Sequence, residues 1–466
     1  MRFFEKAGLI GLGLVAGVSV SLHFAAVADK DEVIPTPLPV EELRAFTEVF
    51  GRIKSDYVEP VTDKKLITDA IAGMLNGLDP HSAYLDADAF KELQVGTHGE
   101  FGGLGIEVGM EDGVVKVISP IEDTPAYKAG IKSGDFIIKL DDTLIKGMSL
   151  NDAVKRMRGK PGSKIVLTII RKDEPKPIEI TLVRSVIKVQ SVKSKLLEPG
   201  YGFVRITQFQ EKTGENLATA LENLVKKNKG PLKGLVLDLR NDPGGLLTGA
   251  VAVSSAFLPK DSLVVYTEGR TEDAKMRLTA NPENYLRNNG ETDYLKALPD
   301  SFKTIPMVLL VNAGSASASE IVAGALQDHK RAVVMGVQTF GKGSVQTVLP
   351  LGNGTGIKLT TARYYTPGGR SIQAKGIVPD ILVEDPASAG RDGGIFRLRE
   401  ADLNKHLINE KQPDDKQGDS GKNTLSPPDT NEDEGKFAPA EFGSKDDYQL
   451  SQALNLLKGI QILQGR

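Results

Sequence analysis

Four short stretches of this 466-residue chain hold residue types that could do chemistry. The first is Asn312-Ala313-Gly314-Ser315-Ala316-Ser317-Ala318-Ser319-Glu320, which follows the apolar run 306–311 and opens a helical pattern reaching Gln327. A hydroxyl on a strand-to-helix turn sits at the positive end of the helix dipole, among amides without intrahelical acceptors. Such amides can hold an oxyanion; a serine there can equally be a simple helix cap. The second is Phe340-Gly341-Lys342-Gly343-Ser344-Val345-Gln346, where glycines flank Lys342 and Gln346 falls on the same face in strand or helix. Lysine is a base only when neutral, against a reference pKa of about 10.4. Desolvation in an apolar pocket can supply that shift, and the Gln346 amide could orient the amine. The alternative is a surface lysine in a glycine turn. The third is Asp238-Leu239-Arg240-Asn241-Asp242-Pro243-Gly244-Gly245, a strand-to-helix turn whose Gly244 and Gly245 offer bare amides suited to an oxyanion. The fourth is Gly102-Gly103-Leu104-Gly105-Ile106, a glycine-rich loop that can nest a carboxylate in its backbone amides. The strand edge after it can add a peptide strand, with Ala153, Val154 and Met157 as the facing helical wall.

Composition removes other chemistries. There is no Cys, so thiol catalysis, disulfides and Cys-ligated metal are excluded. None of the five His is paired at a metal-binding spacing, and neither metal nor cofactor is expected. His329 lies twelve residues past Ser317 along one helix, about 18 Å away at about 1.5 Å per residue, so a Ser-His-Asp triad is poorly supplied. Ser185-Val186-Ile187-Lys188 matches S-x-x-K but lies on a strand pattern, where the two side chains face opposite ways. A net charge of −3 gives no basic field for nucleic acid.

These stretches need elements to position them. Residues 7–28 hold no charge and end Ala26-Val27-Ala28, which reads as a signal peptide or a retained membrane anchor at 1–28. Either places the rest in the periplasm, soluble or tethered by residues 7–28. Residues 36–95 show helical spacing, and 96–186 alternate short β runs with turns as a small mixed module. Residues 187–388 repeat strand, turn and helix, a layered α/β core. Residues 389–440 read as a low-complexity linker, and 441–466 as a helix that must dock on the core or on another subunit.

Two resemblances follow from these strings. Pro125-Ala126-Tyr127-Lys128-Ala129-Gly130-Ile131-Lys132-Ser133-Gly134-Asp135 resembles the signature of bacterial PDZ domains, assigned here to 96–186. With Leu78-Asp79-Pro80-His81-Ser82, the Asn-Asp-Pro-Gly-Gly turn, the serine run, Thr339-Phe340-Gly341-Lys342-Gly343 and Tyr365-Thr366-Pro367-Gly368-Gly369-Arg370-Ser371-Ile372-Gln373, the chain resembles the carboxy-terminal processing (tail-specific) proteases of peptidase family S41. The resemblance implies an α/β, crotonase-like ββα core with an inserted PDZ domain. It implies a serine endopeptidase with a Ser317/Lys342 dyad, Gln346 as orienting residue, and an oxyanion hole from Ala318 and the Gly244-Gly245 turn. It also implies a PDZ arginine, matched to Arg171, that couples peptide binding to activation. Expected substrates are exported proteins with free, apolar C-termini, docked at Gly103, Leu104, Gly105 and Ile106. An adaptor lipoprotein is a further candidate partner, and a homo-oligomer through terminal helices is expected. The rival is a non-catalytic PDZ adaptor or chaperone of the cell envelope.

Overall fold

A computed structural model describes residues 39–464 except 112, 122, 173, 189, 288–291, 385–398, 411–442 and 445. The signal or anchor expectation for 1–28 lies outside the described residues. The chain divides into two compact units, 1–71 and 72–466. In the first, helix Val40–Asp56 carries Glu41 and Glu42 in its first turn and Lys54 in its last, matching its dipole. None of its residues is buried, and Val40, Leu43, Phe46 and Val49 are exposed.

In the second unit, residues 106–183 form an antiparallel sheet in the order Ile106–Glu111, Val114–Pro120, Phe136–Leu140, Lys164–Ile170, Ile178–Val183. Alternate residues such as Val115, Val117, Ile137, Leu167 and Ile169 build its core. Ile106–Glu111 is an edge strand. Helix Leu150–Met157 starts at Ser149, whose hydroxyl accepts from the Asp152 N–H. Its last carbonyls, Arg156 and Met157, accept from the buried Arg184 guanidinium, which fixes the helix end. Glu100–Gly103 pairs with Ser185–Lys188 at the base of this module, so the S-x-x-K string lies on a strand.

The core sheet runs Val192–Glu198, Tyr201–Ile206, Gly234–Asp238, Met307–Val311, Val333–Gly336, Ile381–Leu382, parallel after the first pair. Its central strands are buried on both faces, hence their unbroken apolar runs. One face, with Leu235, Leu237, Leu309 and Val311, packs on helices Thr213–Asn228, Leu247–Phe257 and Ala318–Asp328. The other, with Val236, Val308 and Leu310, packs on Leu450, Ala453 and Leu457 of helix Tyr448–Gln464. Of the two hosts the sequence left open for the C-terminal helix, it takes its own core. Its buried apolar residues are covered within the chain, while Ile462 and Leu463 near its end stay exposed. A second, antiparallel sheet joins Ser344–Pro350, Gly356–Tyr365, Leu263–Gly269, Arg277–Thr279 and Ala83–Leu85.

The linker expectation also needs correcting. Residues 389–398 and 411–440 lie outside the described residues, but 399–410 are folded onto the core. Glu400 is fully buried there, and its N–H donates to the Phe340 carbonyl. Asn409 donates to the Gln373 carbonyl and Arg363 pairs with Glu410.

Candidate active site

The serine run sits where strand Met307–Val311 gives way to helix Ala318–Asp328, and its three hydroxyls have different fates. Ser315 and Ser319 are fully buried. Ser315 Oγ donates to the Leu239 carbonyl and Ser319 Oγ to the Asp242 carbonyl, at 2.8 and 2.9 Å. Both rivet the run to the Asp238–Gly245 turn. Ser317 alone of the three is partly open to solvent. Its backbone is at φ +55°, ψ −114°, a conformation that costs a non-glycine residue about 1–3 kcal/mol and is kept by its surroundings.

Those surroundings centre on Glu320, which the sequence reading quoted without a role. The carboxylate is fully buried. Oε2 accepts from the Ser317 N–H at 2.8 Å and the Lys342 N–H at 2.9 Å. Oε1 accepts from Thr339 Oγ1 at 2.6 Å and the Gly341 N–H at 2.7 Å. One side chain thus pins the serine turn and the lysine turn to each other. Burial pushes its carboxyl up to about 7, against the four donors that favour the anion. The available signal was Ser317-x-x-Glu320, the spacing of a capping box.

Lys342 is half-buried at the rim of this clamp. Burial lowers its ammonium below the ordinary lysine value and Lys358 pushes the same way, while Glu400, Glu320 and Asp79 pull it back. The Tyr364 hydroxyl, fully buried, donates to the Lys342 carbonyl. Nothing in the sequence pointed to Tyr364. Gln346 Nε2 donates to Ser344 Oγ at 3.0 Å and Thr360 Oγ1 at 3.2 Å. A register shift between Val345 and Gln346 interrupts the strand, so the same-face argument from spacing does not apply there.

Gly244 and Gly245 have φ of +95° and +146°. A Cβ on Gly244 would lie 2.7 Å from the Ala316 oxygen and 2.8 Å from Ser317 Cβ, so only glycine allows the turn to lie against the serine. The Gly244 N–H donates to Asp242 Oδ1 at 2.8 Å, which corrects its expected oxyanion role. Among the described residues, the N–H groups of Gly245 and Ala318 have no acceptor. Burial pushes the Asp242 carboxyl up to about 7, and its Oδ2 is buried without a partner.

In the small module, the N–H groups of Leu104 and Gly105 likewise lack acceptors among the described residues. They lie at the open end of edge strand Ile106–Glu111; Gly103 is paired with Ser185. On the facing helix Ala153 and Met157 are buried and Val154 is partly covered. Arg171 Nε and Nη2 each bond Asp135 at 2.8 Å, and Nη2 also bonds the Gly130 carbonyl, so it holds the Gly130–Asp135 turn. Beyond the helix, a cavity of about 690 Å³ is lined by Phe101, Val154, Arg158, Gln208 and Gln210, among others. The Arg158 guanidinium stacks 4.9 Å over Phe101. His81, assigned by sequence to the N-terminal region, bonds Glu400 beside the lysine turn. His329 Nε2 donates to the Leu263 carbonyl at 2.7 Å.

Comparison with known proteins shows the family. Family models described as "Peptidase family S41", "PDZ domain" and "Activating protease CtpB N-terminal domain" match residues 200–383, 102–182 and 19–89. A carboxy-terminal-processing protease of Bartonella bacilliformis is 45% identical over 446 residues, 96% of this chain and 95% of that protein. The carboxy-terminal processing protease CtpA of Bacillus subtilis is 37% identical over 340 residues, 73% of this chain and 68% of that protein. A solved photosystem II D1 C-terminal processing protease is 31% identical, covering 73% of this chain and 86% of its own, with a TM-score of 0.41.

Proposed function

The chain belongs to the carboxy-terminal processing proteases of peptidase family S41, and on that premise we propose that it is a serine endopeptidase working through Ser317 and Lys342. The observation that supports this reading best is the buried Glu320 carboxylate, which takes the backbone N–H of both residues. Neutral Lys342 takes the Ser317 hydroxyl proton as the oxygen attacks a peptide carbonyl. The tetrahedral oxyanion is held by the Gly245 and Ala318 amides, each worth on the order of 3 kcal/mol. The intermediate collapses with cleavage of the C–N bond, the Lys342 ammonium giving its proton to the leaving amine; water, deprotonated by Lys342, then hydrolyses the ester and frees the Ser317 hydroxyl. Tyr364 fixes the lysine carbonyl beside the serine.

Substrates are exported proteins with free apolar C-termini. Their last residues add a strand to Ile106–Glu111, carboxylate at the Leu104 and Gly105 amides, side chains against Val154 and Met157. The protein works in the periplasm, and its self-association uses the exposed apolar face of helix Val40–Asp56. The test is to incubate an unfolded exported protein with the enzyme, Ser317→Ala and Lys342→Ala, and read fragments by mass spectrometry. Only the unsubstituted enzyme should cut, with all three sharing one circular-dichroism spectrum. Cleavage by Lys342→Ala would redirect the search for the base; no cleavage by any form favours the PDZ adaptor.

A further inference from the structure

The Thr339–Gly343 turn carrying Lys342 is gripped from two sides. Glu320 holds its inner side, as described. On the outer side lies the 399–410 segment, which arrives from a distant part of the chain. The Glu400 N–H donates to the Phe340 carbonyl at 3.1 Å. The Glu400 carboxylate accepts from Gln373 Nε2 at 2.9 Å, and Gln373 Oε1 accepts from the Gly343 N–H at 2.9 Å. Glu400 therefore reaches the residues at −2 and +1 of Lys342, once directly and once through an amide. Its other partner is His81 Nε2, 2.8 Å from Oε2. Gln373 and Glu400 are fully buried and His81 is partly buried.

We propose that the 399–410 segment is a strap whose Glu400 is a positioning residue for Lys342, fixing the lysine turn and setting the pH at which its amine becomes a base. This rests on Lys342 being the base. A buried carboxylate near an ammonium favours the charged amine. The charges that act on the Lys342 amine are Glu400 on the strap, Asp79 in the 79–82 turn, Glu320 on the helix and Lys358 on strand Gly356–Tyr365. Glu400 itself faces His81, Gln373 and the Tyr364 hydroxyl. Glu400 thus holds back deprotonation while preserving the geometry. The enzyme gains an ordered lysine turn and loses activity on the acid side.

Glu400→Gln keeps the shape and removes the charge. Kcat/KM of the full-length protein against an unfolded apolar-tailed substrate is measured from pH 5 to 9, with thermal melts alongside. The acid limb of Glu400→Gln should move to lower pH by about one unit, with the alkaline plateau within a few-fold of the starting enzyme. Glu400→Ala keeps the backbone bond to Phe340 but frees Gln373 and His81, and it should lose the plateau at least about tenfold, because the amide that holds the Gly343 N–H is no longer fixed. An acid limb that stays put or moves up in Glu400→Gln overturns the inference. If Lys342→Ala is inactive throughout, that failure falls on Glu400 alone; if Lys342→Ala still cuts, the assignment of the base fails instead.

Discussion

Asp242 shows how one buried group beside the site carries a pH dependence whose sign can be worked out. Its Oδ1 fixes the Gly244 N–H, its carbonyl takes Ser319 Oγ and the Ala316 N–H, and its Oδ2 has no partner. Burial raises the carboxyl to about 7, as it does for Glu320. Both therefore bind protons more tightly folded than unfolded, between about pH 4 and about 7. Where the folded state binds more protons, stability falls as pH rises. Asp242→Asn can still accept from Gly244 and never ionises. Urea midpoints at pH 5, 6, 7 and 8 should decline less steeply with pH in Asp242→Asn than in the unsubstituted protein, and equal slopes would sink the assignment. Much at this scale was legible: the serine run lies at a strand-to-helix turn and the Gly-Gly turn after a buried strand, as their patterns suggested, while the choice of Ser317 and Lys342 came from the family resemblance. Tyr364 and Glu400 were not legible, since their roles come from partners brought close by folding; His81 and Glu400 are 319 residues apart. Nor could spacing foresee that Gly244's amide is taken while Gly245's is left.

At the scale of elements, strand-turn-helix alternation was readable because parallel strands buried on both faces become continuous apolar runs. Met307–Val311, Leu150–Met157 and Phe136–Leu140 have the bounds their patterns suggest. The 399–410 strap was read as linker because it is polar and nearly without regular structure; its burial depends on hydrogen bonds to remote residues. The C-terminal helix was readable as a helix, but not its host, since an apolar face specifies only that something covers it. Its start holds more than the sheet. Arg240, at the head of the oxyanion turn, pairs with Asp447 at 2.6 Å and Asp238 at 2.9 Å, and bonds Gln449. Asp447→Ala strips the nearly buried guanidinium of one of its two carboxylates while Asp238 stays paired, and losing a charged hydrogen-bond partner of this kind costs about 1.5–3 kcal/mol. The urea midpoint should drop accordingly, and labelling of Ser317 by a fluorophosphonate should slow. Ile462→Ala, at an exposed position of the same helix, should leave both unchanged. Equal behaviour of the two variants would show that the helix only covers the sheet.

Across the molecule, the site and the peptide groove are linked by a short run of backbone. The 690 Å³ cavity reaches from Val154 and Arg158 on the PDZ side to Gln208 and Gln210 on the core. Between those glutamines, the Phe209 N–H donates to the Gly244 carbonyl, and the Phe209 carbonyl accepts from the Leu246 N–H. The cavity wall is therefore one residue from the strand that buttresses the oxyanion turn. On the proposed function, a polypeptide is held by its C-terminus on Ile106–Glu111 while Ser317 cuts upstream of it. Tethering of that kind raises local concentration without altering the chemical step, so it appears in KM. Val154→Glu puts a charge on the groove side of a helix that Arg184 and Ser149 still fix at both ends. For a substrate with a free apolar tail, KM should rise about tenfold or more while kcat holds, since an unpaired charge opposes burial of an apolar side chain. Amidating that tail should raise KM for the starting enzyme and add little for Val154→Glu. A short peptide spanning only the cleaved bond should be cut equally by both. If kcat falls for the short peptide as well, the groove is acting on the catalytic residues themselves, and Phe209 is the first position at which to interrupt that connection.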